Sequence, residues 1–237
     1  MVIGVFLFMI IALVLGYFIF RKPKRVAIVL RGISYSETYR NGVDWRACLD
    51  SFAKNIVKPL QKKGFDISIY LATYAHEHQH QLVESYKPYL KKHMFIEKRI
   101  EESTQKESVL ESLSLIKEDI SLYDFVMMTR FDVSYKKPID EWNIDWDKIN
   151  LPWREIEELW KEHQRVGDIM HLFPATYYSA VCNAIQISEA SNTFHHLYND
   201  LLKQPGVTTH TIHFLLPDFY DSKPDYPNPL WRTHCGR

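Results

Sequence analysis

Residues Val2 to Phe20 form a run of nineteen uncharged, almost wholly apolar positions, ended abruptly by Arg21, Lys22, Lys24 and Arg25. That length suits one membrane-spanning helix of about 20 residues. The run lacks the basic n-region, shorter apolar core and small-x-small cleavage site of a signal peptide. A retained single-pass anchor over residues 1–20 is therefore expected, followed by a basic juxtamembrane segment over 21–25. After it the pattern changes to short apolar runs separated by amphipathic stretches. Val26 to Leu30 is wholly apolar, as in a strand buried on both faces, and ends at Arg31-Gly32. From Trp45 to Lys63, Leu49, Phe52, Ile56, Val57 and Leu60 recur at helical spacing, with Asp44 placed to cap the helix and Gly64 to stop it. Phe65 to Ala72 alternates and is rich in β-formers, which predicts a second strand with Thr73-Tyr74 as its carboxyl-end loop.

Gln79 to Lys92 has helical character that Pro88 should kink or divide, and a short strand follows near Met94 to Ile96. Ser103 to Asp119 carries Val109, Leu110, Leu113 and Ile116 on one face and leads into the apolar strand Phe125 to Met128, followed by Thr129-Arg130-Phe131-Asp132. Such alternation predicts right-handed crossovers and an α/β domain: a Rossmann-type, mostly parallel sheet flanked by helices. The second half is less regular. Strands are expected at Ile149–Trp153, Ile169–Phe173 (stopped by Pro174) and Thr208–Leu216, with helices at Glu155–His163 and at Ser191–Lys203, capped by Ser191. We read 26–237 as one domain, with 26–140 as the regular half and 141–237 as the irregular one.

Charge and composition narrow the partners. About 210 residues follow the anchor, enough for one sizeable core. The 29 Lys and Arg balance 29 Asp and Glu, and this zero net charge argues against a nucleic-acid binder, which normally shows a basic face. By the positive-inside rule the basic cluster puts the domain in the cytoplasm, with a lumenal orientation as the alternative. Cys48, Cys182 and Cys235 are odd in number and far apart, as reduced thiols would be, and no Asn-x-Ser/Thr sequon occurs.

The candidate chemistry gathers at strand ends. Ligands of open α/β sheets bind beyond the carboxyl ends of the strands. Gly32 permits close backbone approach, Arg31 offers a bidentate contact to a diphosphate, and Thr73 opens the loop after the second strand. Arg130 and Asp132 pair a cation for phosphate with a carboxylate for a metal or a hydroxyl; equally, they form an ion pair closing a strand end. Hard ions such as Mn2+ or Mg2+ prefer carboxylate oxygens, and Asp132 would need companions from the second half: His195, His196, His210, His213, Asp218 or Asp221. Of these, His213 beside the last strand is the one we pair with Asp132. As catalytic base the chain offers Asp168, Asp218, Asp221 and Glu189, with Asp168 and Asp218 placed at strand ends. His76, His78 and His80 would face one way for zinc only in an extended stretch, and theirs reads as a loop. No Gly-x-Ser-x-Gly, Gly-x-Gly-x-x-Gly or Walker loop is present, which argues against serine hydrolases, dinucleotide oxidoreductases and P-loop kinases.

Several of these stretches together resemble a known group. Arg31-Gly32, Tyr123-Asp124-Phe125 leading into Thr129-Arg130-Phe131-Asp132, and the tail Tyr220-Asp221-Ser222 with Asn228-Pro229-Leu230 are similar to glycosyltransferase-like proteins of large DNA viruses of algae and protists and of some microbes. The resemblance implies a GT-A-like fold, a nucleotide-sugar donor, a glycan or protein acceptor and a divalent metal. In that fold the metal is held by Asp-x-Asp. Here Arg130 replaces the first Asp and leaves Asp132 alone. Three readings follow: the metal is held differently, Arg130 itself neutralises the leaving diphosphate, or the chain is a catalytically silent, membrane-tethered binding or scaffold protein.

Overall fold

The computed structural model describes residues 23–39, 42–98, 104–188, 194–220 and 229–233. The expected anchor at Val2–Phe20, the Ser191 cap and the candidates Glu189 and Asp221 lie outside these residues. Among the described residues no helix is long and apolar enough to cross a membrane.

The strands in chain order are β1 (Arg25–Arg31), β2 (Tyr35–Ser36), β3 (Val43–Asp44), β4 (Asp66–Tyr74), β5 (Leu90–Ile96), β6 (Phe125–Arg130), β7 (Val133–Tyr135), β8 (Ile149–Leu151), β9 (Arg154–Glu155), β10 (Met170–Pro174), β11 (Ile212–Phe214), β12 (Phe219–Tyr220) and β13 (Trp231–Thr233). The α-helices are α1 (Arg46–Phe52), α2 (Lys58–Lys62), α3 (Gln79–Tyr86), α4 (Gln105–Ser114), α5 (Glu157–His163), α6 (Tyr178–Ile187) and α7 (Leu197–Leu202). A π-helical segment, Ala53–Val57, joins α1 to α2. Pro59 explains it: with no N–H, it cannot bond the Asn55 carbonyl one turn back, so the ladder slips there.

Seven strands form one sheet in the order β11-β8-β10-β6-β1-β4-β5. Pairing is parallel for β1 with β4 and β6, β4 with β5, and β11 with β8, while β10 runs antiparallel to both its neighbours. The sheet is thus mostly parallel, and helices cover both faces. Val26, Ile28 and Leu30 pack on one face with Phe52, Ile56 and Leu60 of the α1–α2 run and with Leu82 and Tyr86 of α3. Ala27 and Val29 pack on the other with Val109 and Leu113 of α4, Val181 and Ala184 of α6, and Leu197 and Leu201 of α7. Burying each large aliphatic side chain contributes about 1.5–3 kcal/mol, so this double-sided core carries the fold.

The chain steps from β1 outward to β4 and β5 using helices on one face. It then returns over the other face, by α4, to lay β6 on the free side of β1. Reversing both direction and face keeps the crossovers of one hand. The reversal makes the β1/β6 boundary the sheet's topological switch point.

Several expectations are corrected in detail. Thr73 and Tyr74 lie inside β4 rather than in a loop, because both are good strand formers and pair with Phe95 and Ile96. Pro88 divides its segment completely: α3 ends at Tyr86 and β5 begins at Leu90 rather than Met94. Trp45, not Asp44, is the N-cap of α1, although Asp44 accepts the Arg46 N–H at 3.0 Å. Glu155 belongs to β9 rather than to the helix behind it. The last strand shrinks to Ile212–Phe214, since Thr208 to Thr211 close a capped 3-10 turn.

Helix α4 starts with a full capping box: the Thr104 hydroxyl accepts the Glu107 N–H at 3.1 Å, and the Glu107 carboxylate accepts the Thr104 N–H at 3.0 Å. Thr104→Ala removes one half of that exchange and is expected to lower stability by about 1 kcal/mol, measured by urea unfolding against wild type.

Candidate functional site

Alternation along the two central strands decides where their last side chains go. Val29 and Met128 face the α4 side of the sheet, so Arg31 and Arg130, two residues further on, face the same side. They are also register partners across the β1/β6 pair. Two guanidinium groups therefore stand side by side at the switch point, where open α/β sheets bind ligands. Arg31 is only 2% exposed.

Buried cations need partners, and the strand ends supply them. Arg130 grips Asp132 with two parallel bonds, Nε to Oδ1 at 2.8 Å and NH2 to Oδ2 at 2.6 Å. Its NH1 donates to both oxygens of Asp168, at 3.1 and 3.3 Å. Asp168 reaches this edge because β10 is antiparallel and starts where β1 and β6 end. Arg31 donates through NH2 to the Asp168 carbonyl and packs over the Phe194 ring, 5.3 Å from its centroid. Its Nε is buried with no hydrogen-bond partner among the described residues. Gln105, the first residue of α4, donates to Asp168 Oδ2 at 2.6 Å and accepts the Phe194 N–H at 3.0 Å. Behind these groups His195 Nδ1 lies 2.7 Å from buried Glu155, which also holds Arg165 at 3.0 Å.

The electrostatics follow from burial and charge. Burial alone would raise the Asp168 carboxyl, but Arg130, then His195 and Arg31, and the Gln105 hydrogen bond outweigh it and hold it well below the usual carboxylate range. Burial opposes the charge on Arg130, and the adjacent Asp132 and Asp168 more than restore it. Arg31 is less well served: burial lowers it to about 10, with Asp168 opposing the shift and Arg130 adding to it. His171, in the middle of β10 with its ring edge-on to Phe194, is pushed down to about 3 by burial and by the charge of Arg31. His195 is raised, since its Glu155 bond and the Asp168 charge overcome burial.

Of the residues singled out in the sequence, Arg31, Arg130, Asp132 and Asp168 meet in one cluster. Gly32 adjoins it at φ +88°, and a Cβ there would meet nothing within 4 Å, so the backbone is open to close approach. Thr73 does not join. It is fully buried, its hydroxyl donates to Ser34 Oγ at 2.8 Å, and it ties down the chain after β1. His76 completes that tie, with Nε2 2.9 Å from Ser34 Oγ and Nδ1 accepting the His78 N–H at 3.1 Å. With both ring nitrogens engaged it has no lone pair for zinc, and His80 is exposed on α3. His213 sits on β11, three strand positions or about 14 Å from β6, with Nε2 bonded to the Asn143 carbonyl at 2.6 Å. Asp218 is exposed in the segment between β11 and β12. The donor set does not fit a divalent ion: Asp132 spends both oxygens on Arg130, His213 is out of reach, and among the described residues no three His, Cys, Asp or Glu converge.

Gln105, Glu155 and His171 were not anticipated. A helix returning from a parallel strand must begin at the carboxyl edge, which is the signal that would have found Gln105. The lone His in the apolar run Ile169–Phe173 was the signal for His171. A cleft on the helix side, walled by Lys106, Ser188, Phe194 and Asp200, holds at most about 240 Å3 of empty space, less than the ~300 Å3 of ordinary ligand pockets.

No family model matches the chain, and no curated protein matches it. Among solved structures it overlays on TarS of S. aureus at 14% identity and TM-score 0.48, over 89% of this chain and 36% of that one. The bifunctional glycosyltransferase WbbM aligns at 12% identity and TM-score 0.45, over 83% and 39%. A 4-diphosphocytidyl-2C-methyl-D-erythritol synthase aligns at 13% and 0.45, over 83% and 90%. This chain thus spans little more than a third of TarS and WbbM. At such identities, and with TM-scores under one half, no activity passes from these proteins to this one.

Two outcomes are expected. A Cβ on Gly167 would lie 2.7 Å from the Trp153 ring, so Gly167→Ala must push apart the ring and the backbone leading into Asp168, destabilising by about 1–3 kcal/mol in chemical denaturation. The second concerns acid. Unfolded His171 takes up a proton near pH 6.5 but the folded residue only near pH 3, so in that window the unfolded state binds more protons and stability falls as pH falls. The raised His195 slopes the opposite way, losing its contribution as pH rises above 6.5. Unfolding free energies measured from about pH 7 to about pH 4 should therefore decline, and His171→Phe should flatten the decline.

Proposed function

We propose that this protein is a GT-A-like glycosyltransferase that moves a sugar from a nucleoside-diphosphate donor to a hydroxyl of a glycan or protein acceptor. The donor diphosphate would lie at the carboxyl edge between β1 and β6, and residues 1–20 would tether the domain to a membrane. One observation carries this reading: buried Arg31 and partly buried Arg130 stand in register at the switch point, and the Nε of Arg31 has no partner among the described residues.

Arginines suit the chemistry. Breaking the bond between the anomeric carbon and the diphosphate oxygen leaves negative charge on the leaving group, and fixed cations aimed at that charge lower the barrier. Guanidinium groups also bind phosphate oxygens in pairs. The acceptor hydroxyl must give its proton to a base. A carboxylate held as acidic as Asp168 is a poor proton acceptor, so we assign Asp168 and Asp132 to holding Arg130. Asp218, exposed beyond the carboxyl end of β11, is the carboxylate we assign to the base.

The completeness of the Arg130 ion pairs favours a second reading, in which the chain binds nucleotide sugars without turning them over. Calorimetric titration with UDP- and GDP-sugars, followed by assay for released nucleoside diphosphate, separates the two. We expect binding that weakens by about tenfold or more in Arg31→Gln, and transfer that is lost in Asp218→Asn with binding kept. Binding without release would favour the silent reading. Absence of binding by wild type, or full affinity in Arg31→Gln, would remove the site.

A further inference from the structure

We propose that Arg130 is the built-in cation of this site, so that a nucleoside diphosphate binds here without a divalent metal. This rests on the donor reading above and specifies its cofactor requirement.

The geometry argues for it from three directions. The Arg130 guanidinium lies between two carboxylates from different strand ends, bonded to both oxygens of Asp132 and both of Asp168. Two carboxylates converging on one positive centre is what a hard divalent ion would otherwise demand of them. A metal could enter only by displacing the guanidinium from bidentate, charge-assisted bonds, and it would then sit beside two arginine cations. Those bonds still leave the guanidinium room to act. Arginine carries five N–H donors, and NH2 spends one of its two on Asp132. The second cation an incoming diphosphate needs is the register partner Arg31. Charge balance agrees: Arg31 and Arg130 against Asp132 and Asp168 is neutral, so no surplus of carboxylate calls for an ion.

The test has two arms. In the first, UDP and GDP are titrated into the protein in EDTA and again in Mn2+. Equal affinity within about twofold is expected, with a loss of about tenfold or more in Arg130→Lys, which keeps the charge but not the paired donors. Binding that requires Mn2+ would overturn this inference alone. No binding in either medium would overturn the donor reading, and this inference with it. The second arm needs no nucleotide. Mn2+ bound to the protein is read by electron paramagnetic resonance; wild type should show none, and Arg130→Asp, with acidic side chains at 130, 132 and 168, should gain a site. If that variant fails to fold by circular dichroism, Arg130→Asn takes its place and should gain Mn2+ binding more weakly. Wild-type Mn2+ binding abolished by Asp132→Asn, or no gain of Mn2+ binding in a folded Arg130 variant, would overturn the proposal.

Discussion

The burial of β1 on both faces and both edges is the constraint from which the rest follows. Val26, Ala27, Ile28 and Val29 are wholly buried, with β4 on one side and β6 on the other. A strand so enclosed must end in polar residues only where the sheet itself ends, and it ends in Arg31. Because β6 lies in register beside it, the sheet delivers a second arginine to the same place. Two adjacent cations out of water are unfavourable by several kcal/mol unless matched. Asp132, from the turn after β6, and Asp168, from the turn before β10, match them. The polar cluster is thus a product of the apolar sheet and adds little to its stability.

Much of this was legible in the chain. Apolar runs located β1 and β6, and the charged residues directly after them meet in one cluster with Asp168 from before β10. What failed did so for physical reasons. Alternation stops at Ala72 and so predicts a loop at Thr73, but hydrogen bonding to β5 carries the strand two residues further. His213 lies on β11, three strand positions from β6, and so does not join Asp132. Strand order is not written in local pattern, and β10 and β8 both lie between β6 and β11. Gln105 is signalled only by topology, as the start of a helix returning from a parallel strand, and Glu155 carries no signature, since its role comes from the ends of other elements arriving beside it.

The antiparallel β10 therefore has two effects that oppose each other. Its start supplies Asp168 and its middle supplies the neutral His171, which draw the second half of the chain into the cluster. Its width also separates β11 from the arginines. The first half presents charge at the sheet edge, whereas the second half both completes that charge and sets the distance at which other groups can work.

Gly167 gives the cluster one more property. With no Cβ, it lets the Trp153 ring lie against the backbone one residue before Asp168, and the ring is almost fully buried. An indole held that way emits in an apolar surrounding, and its emission depends on where the neighbouring peptide dipoles point. Any rearrangement of the Asp168 turn must move those dipoles. The protein therefore carries an optical probe of its own beside the Asp168 turn.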